Sequence, residues 1–99
     1  MYCKTFHTKP SPEGMLEFRA FVHDKYKPLI SRQSGFRGAS FCTTKENEFV
    51  MIMLWDEERN IHDWTDNPDH KKISAEIKHL FINEVYQDIY EVSEEIPPV

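Results

Sequence analysis

Apolar and polar residues along the first third of the chain predict a strand followed by a helix. Residues 1–8 alternate imperfectly between the two classes, as a short strand does. Ser11 and Pro12 then mark a helix start, because serine caps free backbone N–H groups and proline fits the first helical position. Pro28 should kink or end this helix early, and Gly35 should stop it. The helix carries an apolar stripe made of Met15, Phe18, Phe21, Val22, Tyr26 and Leu29.

The middle of the chain predicts a β-hairpin followed by a broken helix. Residues 36–44 and 48–55 are strand-like and are joined by a tight polar turn. A helical region opens at Asp56 and is interrupted at Asn67-Pro68, where the asparagine serves as a cap and the proline begins another helix. We expect the inward face of that second helix to carry His70, Ile73, Ile77 and either Leu80 or Phe81.

The end of the chain predicts one more strand and a tail. Residues 83–92 contain pairs at helical spacing, but their β-branched and aromatic content favours a strand. Residues 93–99 form an acidic tail that contains two adjacent prolines. The resulting order, βαββαβ, predicts a single ferredoxin-like α+β domain over residues 1–92, with a four-stranded antiparallel sheet.

The third predicted strand is apolar on both faces. Alternate residues Phe49, Met51, Met53 and Trp55 point to one side, and Val50, Ile52 and Leu54 point to the other. Two helical regions can cover one face of such a sheet, which leaves the second face to be covered by something else. A second copy of the sheet is the simplest cover, so the pattern predicts a homodimer that forms a dimeric α+β barrel. The alternative is a monomer whose tail or loops shield the sheet.

Composition and charge narrow the class of protein. The 99 residues are 39% hydrophobic and 13% aromatic, which is enough to build one folded domain. The net charge is −5 and the basic residues are scattered, so we expect no nucleic-acid partner. The longest apolar run, residues 49–55, is too short to cross a membrane, and the N-terminus lacks an apolar signal region. We therefore expect a soluble, cytoplasmic protein with no membrane partner.

Three short motifs resemble those of the antibiotic biosynthesis monooxygenase domain family. They are Gly35-Phe36 at the start of the second strand, Leu54-Trp55-Asp56-Glu57 at the end of the third, and Asn67-Pro68-Asp69-His70 at the start of the last helix. The resemblance covers nearly the whole chain and implies a dimeric α+β barrel. The family includes small oxygenases that act on quinol-type aromatics without metal or flavin, and haem-degrading relatives.

The oxygenase interpretation nominates catalytic residues. Oxygenation without a cofactor requires a substrate that reduces dioxygen once deprotonated, so the protein supplies a dry pocket, an orienting donor and a base. His70 is the candidate base, and Trp64 offers an apolar wall and an N–H donor. We expect His7, Tyr86 and Ile73 to contact the substrate, a small aromatic or enolisable molecule, in a cleft between sheet and helices. No cofactor is expected, and the spacing of the histidines predicts no metal site.

Two other interpretations remain open from the sequence. Trp64 and His70 are compatible with purely structural roles, in which case the protein is a non-catalytic dimeric barrel that binds a small apolar ligand. The haem-degrading relatives carry an asparagine on the first strand and an axial histidine about ten residues after the position of Trp64. Here the tenth residue after Trp64 is Ser74 and the first strand has no asparagine, which argues against haem.

Overall fold

A computed structural model describes residues 1–83 and 85–99. In chain order the elements are β1 (Tyr2–Thr8), α1 (Met15–Phe21), a π-helical turn (Val22–Tyr26), α2 (Lys27–Ile30), β2 (Phe36–Thr43), β3 (Phe49–Trp55), α3 (Glu58–Asp66), α4 (Pro68–Ala75), a 3-10 turn (Lys78–Leu80) and β4 (Tyr86–Glu91). The strands pair in an antiparallel sheet with the order β2-β3-β1-β4, which confirms the ferredoxin-like α+β prediction.

The helices pack on one face of the sheet and form the core with it. In the centre of the sheet, Lys4 lies opposite Met53 and Phe6 lies opposite Met51, so these four side chains share the helix-facing side. The predicted inward set of β3 is buried as expected. The core consists of Phe18, Phe21, Tyr26, Ile30, Phe49, Met51, Met53, Trp55, Ile61, Trp64, Ile77 and Leu80.

The first helical region contains a widened turn that the sequence pattern did not predict. The backbone N–H of Lys27 donates to the carbonyl of Val22, five residues back, as in a π-helix. Pro28 lies in the first turn of α2, where its missing N–H is tolerated, and the helix continues to Ile30. The helix thus ends two residues after Pro28, and the irregular turn lies before the proline instead of at it. Gly35, with φ +78°, leads the chain into β2 instead of stopping the helix directly.

The second helical region is broken where the sequence predicts. Its first helix begins one residue after Glu57, which forms a capping box with Asn60. Asn67 then caps the next helix: its side-chain oxygen accepts the backbone N–H groups of Asp69 and His70 at 2.9 and 3.1 Å. Because α4 starts at Pro68, His70 occupies its first turn and lies back toward α3.

The opposite face of the sheet is not covered by the helices. Ile52 at its centre is 38% exposed, and its neighbours Val50 and Leu54 are half-buried. Residues 93–99 form no helix or strand, and the tail residues Ile96 and Val99 are exposed. The tail therefore does not bury its apolar side chains against this face.

Candidate active site

A cavity of about 680 Å³ opens between the helix-facing side of the sheet and the helices. Its volume lies within the range of small-molecule sites, which is roughly 300–1,000 Å³. Trp64 and His70 both line it, as the sequence predicts for a cleft in this place. Most of its remaining wall is apolar and includes Phe6, Phe18, Phe21, Phe49, Met51 and Met53.

The imidazole of His70 is fixed in position by three contacts. The Asn67 cap sets its backbone, and its ring stacks on the indole of Trp64 with centroids 4.0 Å apart and planes 12° from parallel. Its Nδ1 lies 2.8 Å from the backbone carbonyl of Trp64. A carbonyl only accepts, so Nδ1 carries the proton and donates it, and in the neutral ring Nε2 is left as a lone-pair acceptor. This is the tautomer that a general base at Nε2 requires.

Burial lowers the pKa of His70, and the positive charge of Lys4 lowers it further. The hydrogen bond to the Trp64 carbonyl acts in the opposite direction, because it favours the protonated ring. The net result is a lowered pKa, so the ring is neutral at pH 7 and able to accept a proton.

The indole of Trp64 is 1% exposed and its N–H group is already engaged. Nε1–H donates to the hydroxyl of Tyr26 at 3.2 Å, and that hydroxyl donates to the sulfur of Met53 at 3.7 Å. The expectation that Trp64 offers its N–H to a substrate is therefore wrong. Its ring forms a wall and a platform for His70. Burial raises the pKa of Tyr26 well above its ordinary value, so this phenol stays neutral.

Lys4 is a functional candidate that the sequence reasoning missed. It lies on the helix-facing side of β1, is only 4% exposed, and lines the cavity. Its Nζ donates to the hydroxyl of Thr65 at 3.0 Å, and burial lowers the pKa of the ammonium group. The sequence does contain a signal for it. Lys4 lies two positions from both Tyr2 and Phe6, so its side chain points to the same side of the strand as these two aromatics.

Three residues expected to contact the substrate do not line this cavity. His7 and Tyr86 lie on the opposite face of the sheet, where their rings stack with centroids 4.1 Å apart. The expectation that His7 opens toward His70 is wrong, since β1 turns its even-numbered residues to the helices. Ile73 is half-buried and packs against the core, while α4 faces the cavity through His70, Lys71 and Ser74.

Residues 1–83 and 85–99 lack two further features. Within these ranges, no group of three or more His, Cys, Asp and Glu side chains is placed to hold a metal ion. No helix in the same ranges combines the length and apolar character that a membrane crossing requires.

Solved structures share this fold at low sequence identity. A protein of Deinococcus radiodurans is 17% identical, with a TM-score of 0.86 over 100% of this chain and 99% of that chain. SnoaB, a cofactor-independent oxygenase from Streptomyces nogalater, is 14% identical, with a TM-score of 0.84 over 98% of this chain and 97% of that chain. The ActVA-Orf6 monooxygenase of Streptomyces coelicolor, solved with nanaomycin D, is 12% identical, with a TM-score of 0.84 over 99% of this chain and 92% of that chain. These likenesses concern the fold.

Sequence comparison identifies the family of this chain. No curated protein matches this chain in sequence. The family model of antibiotic biosynthesis monooxygenase matches residues 1–76, which run from β1 to the end of α4 and include Lys4, Trp64 and His70. With 76 of its 99 residues matched, and with the fold of solved monooxygenases, the chain belongs to the antibiotic biosynthesis monooxygenase family.

Proposed function

We propose that the protein is a cofactor-independent monooxygenase that acts on a small aromatic, quinol-like or enolisable substrate in the cavity between sheet and helices. Membership of the family supports the reaction class, and the size and apolar wall of the cavity support a substrate of one or a few rings. The observation that carries the proposal is His70, a neutral imidazole whose tautomer is fixed and whose Nε2 is left as an acceptor.

In this reaction His70 acts as the general base. Its Nε2 takes the proton of a substrate hydroxyl, and the electron-rich anion that results reduces dioxygen directly. The substrate supplies all the electrons: one oxygen atom enters the ring, the other leaves as water, and a quinol becomes a hydroxyquinone. Trp64 is a positioning residue, because its ring and its carbonyl both hold the imidazole. The apolar wall keeps water away from the anion.

A homodimer formed through the open sheet face is part of the same proposal. Val50, Ile52 and Leu54 form an apolar strip on a face that the helices leave uncovered. Burying this strip against a second copy removes it from water, and a symmetric pair of sheets is the simplest arrangement that does so.

Oxygen uptake by the purified protein tests the activity. We expect consumption above buffer with at least one member of a panel of hydroquinones, naphthohydroquinones and naphthols, with one atom of labelled dioxygen in the product. His70→Ala should lower the rate by about 10²-fold or more, as expected for loss of a general base. His79→Ala is the matched control, because His79 is exposed and does not line the cavity.

Uptake at the buffer rate across the whole panel would contradict the proposal. If the same compounds bound without being oxidised, the protein would instead be a non-catalytic barrel that holds a small apolar ligand. An equal rate in His70→Ala and the wild type would remove His70 from the reaction even if oxygen were consumed.

A further inference from the structure

The charge of the cavity is opposite to that of the whole chain. The protein has a net charge of −5, yet the cavity is lined by Lys4, Lys71 and Lys78. Among the described residues that line it there is no aspartate or glutamate. Lys71 and Lys78 are exposed, whereas Lys4 is buried. Positive charge is thus present both on exposed and on buried parts of the wall.

Lys4 is the unusual member of this set. Within the described residues, its hydrogen bond goes to the neutral hydroxyl of Thr65, and it forms no ion pair with a carboxylate. A buried ammonium group is costly unless a negative charge or several hydrogen bonds compensate it. A bound anion would supply that charge, and the cavity is where an anion can approach.

The ammonium of Lys4 and the imidazole of His70 are anchored to consecutive residues. Lys4 Nζ donates to the side chain of Thr65, and His70 Nδ1 donates to the carbonyl of Trp64, the residue before it. Both groups, one from β1 and one from α4, are therefore held at the last turn of α3. The influence of the Lys4 charge on His70 agrees with this closeness. An acidic hydroxyl bound at this place would have a base and a cation beside it.

We propose that the cavity selects aromatic phenols and enols as their anions, with Lys4 Nζ contacting the oxygen that His70 deprotonates. The inference rests on the proposed oxygenase function and narrows its substrate class. The proton moves from the ligand hydroxyl to His70 Nε2, while Lys4 keeps its own proton and faces the oxyanion. Electrostatic stabilisation of a developing oxyanion by a fixed group of opposite charge lowers the free energy of the deprotonated state.

Binding of 4-nitrophenol tests this without turnover, because its phenolate is yellow, its phenol is not, and its ring is too electron-poor to react with dioxygen readily. Titrating the compound against pH with excess protein gives the pKa of the bound ligand. We expect the wild type to bind the phenolate at least about tenfold more tightly than the phenol, a lowering of the bound pKa by about one unit. Lys4→Met should abolish the preference.

Two further variants make the result specific. Lys72→Met removes the same charge from an exposed position of α4 outside the cavity wall and should leave the preference unchanged. Lys4→Arg keeps a cation on β1, should retain the preference, and keeps the test decisive if Lys4→Met does not fold.

Equal affinity for phenol and phenolate in the wild type would overturn the proposal. So would an undiminished preference in Lys4→Met, or no binding of the compound at millimolar concentration. The outcome is separable from the oxygen-uptake assay. A phenolate preference without oxygen consumption would leave an anion site that is not an oxygenase, and oxygen consumption without the preference would leave an oxygenase that does not use Lys4.

Discussion

Replacing Tyr26 by phenylalanine removes one oxygen atom and takes away the hydrogen-bond acceptor of the Trp64 indole. The indole is 1% exposed and Tyr26 is 7% exposed, so water has little access to the N–H group that is left. A buried donor without a partner costs about 1–3 kcal/mol. The bond from Tyr26 to the sulfur of Met53 is long and adds little. We expect the free energy of unfolding to fall by about 2 kcal/mol.

Urea unfolding monitored by circular dichroism at fixed protein concentration measures this loss. For a domain of this size, about 2 kcal/mol corresponds to a fall in the melting temperature of roughly 8–16 °C. Tyr2→Phe is the matched control, because it deletes the same atom from a half-buried tyrosine on the helix-facing side of β1, away from the proposed dimer interface. That control should change the free energy of unfolding by less than about 0.5 kcal/mol.

A double-mutant cycle with Trp64→Phe isolates the hydrogen bond from other effects. Trp64→Phe removes the donor, so a further Tyr26→Phe change should then cost less than it does in the wild type. If Tyr26→Phe cost the same in both backgrounds, or less than about 0.5 kcal/mol in the wild type, the bond would not stabilise the protein and the reasoning would be refuted.

Three other predictions follow from the same structure. Acidification should destabilise the wild type more than His70→Gln. The pKa of His70 is lowered in the folded state, so the stability present above about pH 6.5 is lost as the pH falls through the folded-state pKa. The loss is about 1.4 kcal/mol for each unit by which the folded and unfolded pKa values differ. Urea unfolding of both proteins at several pH values measures it, and an equal loss in the two would contradict this cause. Lys4→Met should raise the free energy of unfolding by about 1 kcal/mol, because a buried cation is replaced by an apolar chain; a loss of stability would mean that its bond to Thr65 is structurally important. Ile52→Asp should convert a dimer into a monomer in light scattering, whereas the exposed helix change Leu16→Asp should not; a monomeric wild type at micromolar concentration would contradict the dimer.

Local signals allowed much of the fold to be predicted. The Asn67-Pro68 pair sets the start of α4 through a cap and a fixed backbone angle, both of which act within three residues. The apolar alternation of β3 also needs no knowledge of its neighbours. Because the cap fixes the first turn of α4, His70 could be placed beside the cleft from the sequence.

The remaining parts of the site depend on pairing between distant segments. On β1, Tyr2 and Phe6 favour the even-numbered set as the inner face, but the charge of Lys4 in the same set argues against it, so alternation alone does not decide between the faces. Pairing with β3 decides it, by placing Phe6 opposite Met51. The sequence alone therefore places His7 on the wrong face and leaves Lys4 out of the site. The bond from Trp64 to Tyr26 joins positions 38 residues apart and has no local signature.

The π-helical turn makes the first helical region a two-part element with a one-residue insertion between the parts. Phe21 and Tyr26 are both buried although they are five positions apart, a spacing that a regular helix does not keep on one side. Loss of one residue here would let the segment return to the regular i→i−4 hydrogen-bond pattern and make Phe21 and Tyr26 an i,i+4 pair, which a regular helix keeps on one side. The widened turn therefore accommodates an extra residue without turning the Tyr26 hydroxyl away from the Trp64 indole. Related chains that differ by one residue at this turn are thus expected to keep the same wall of the site.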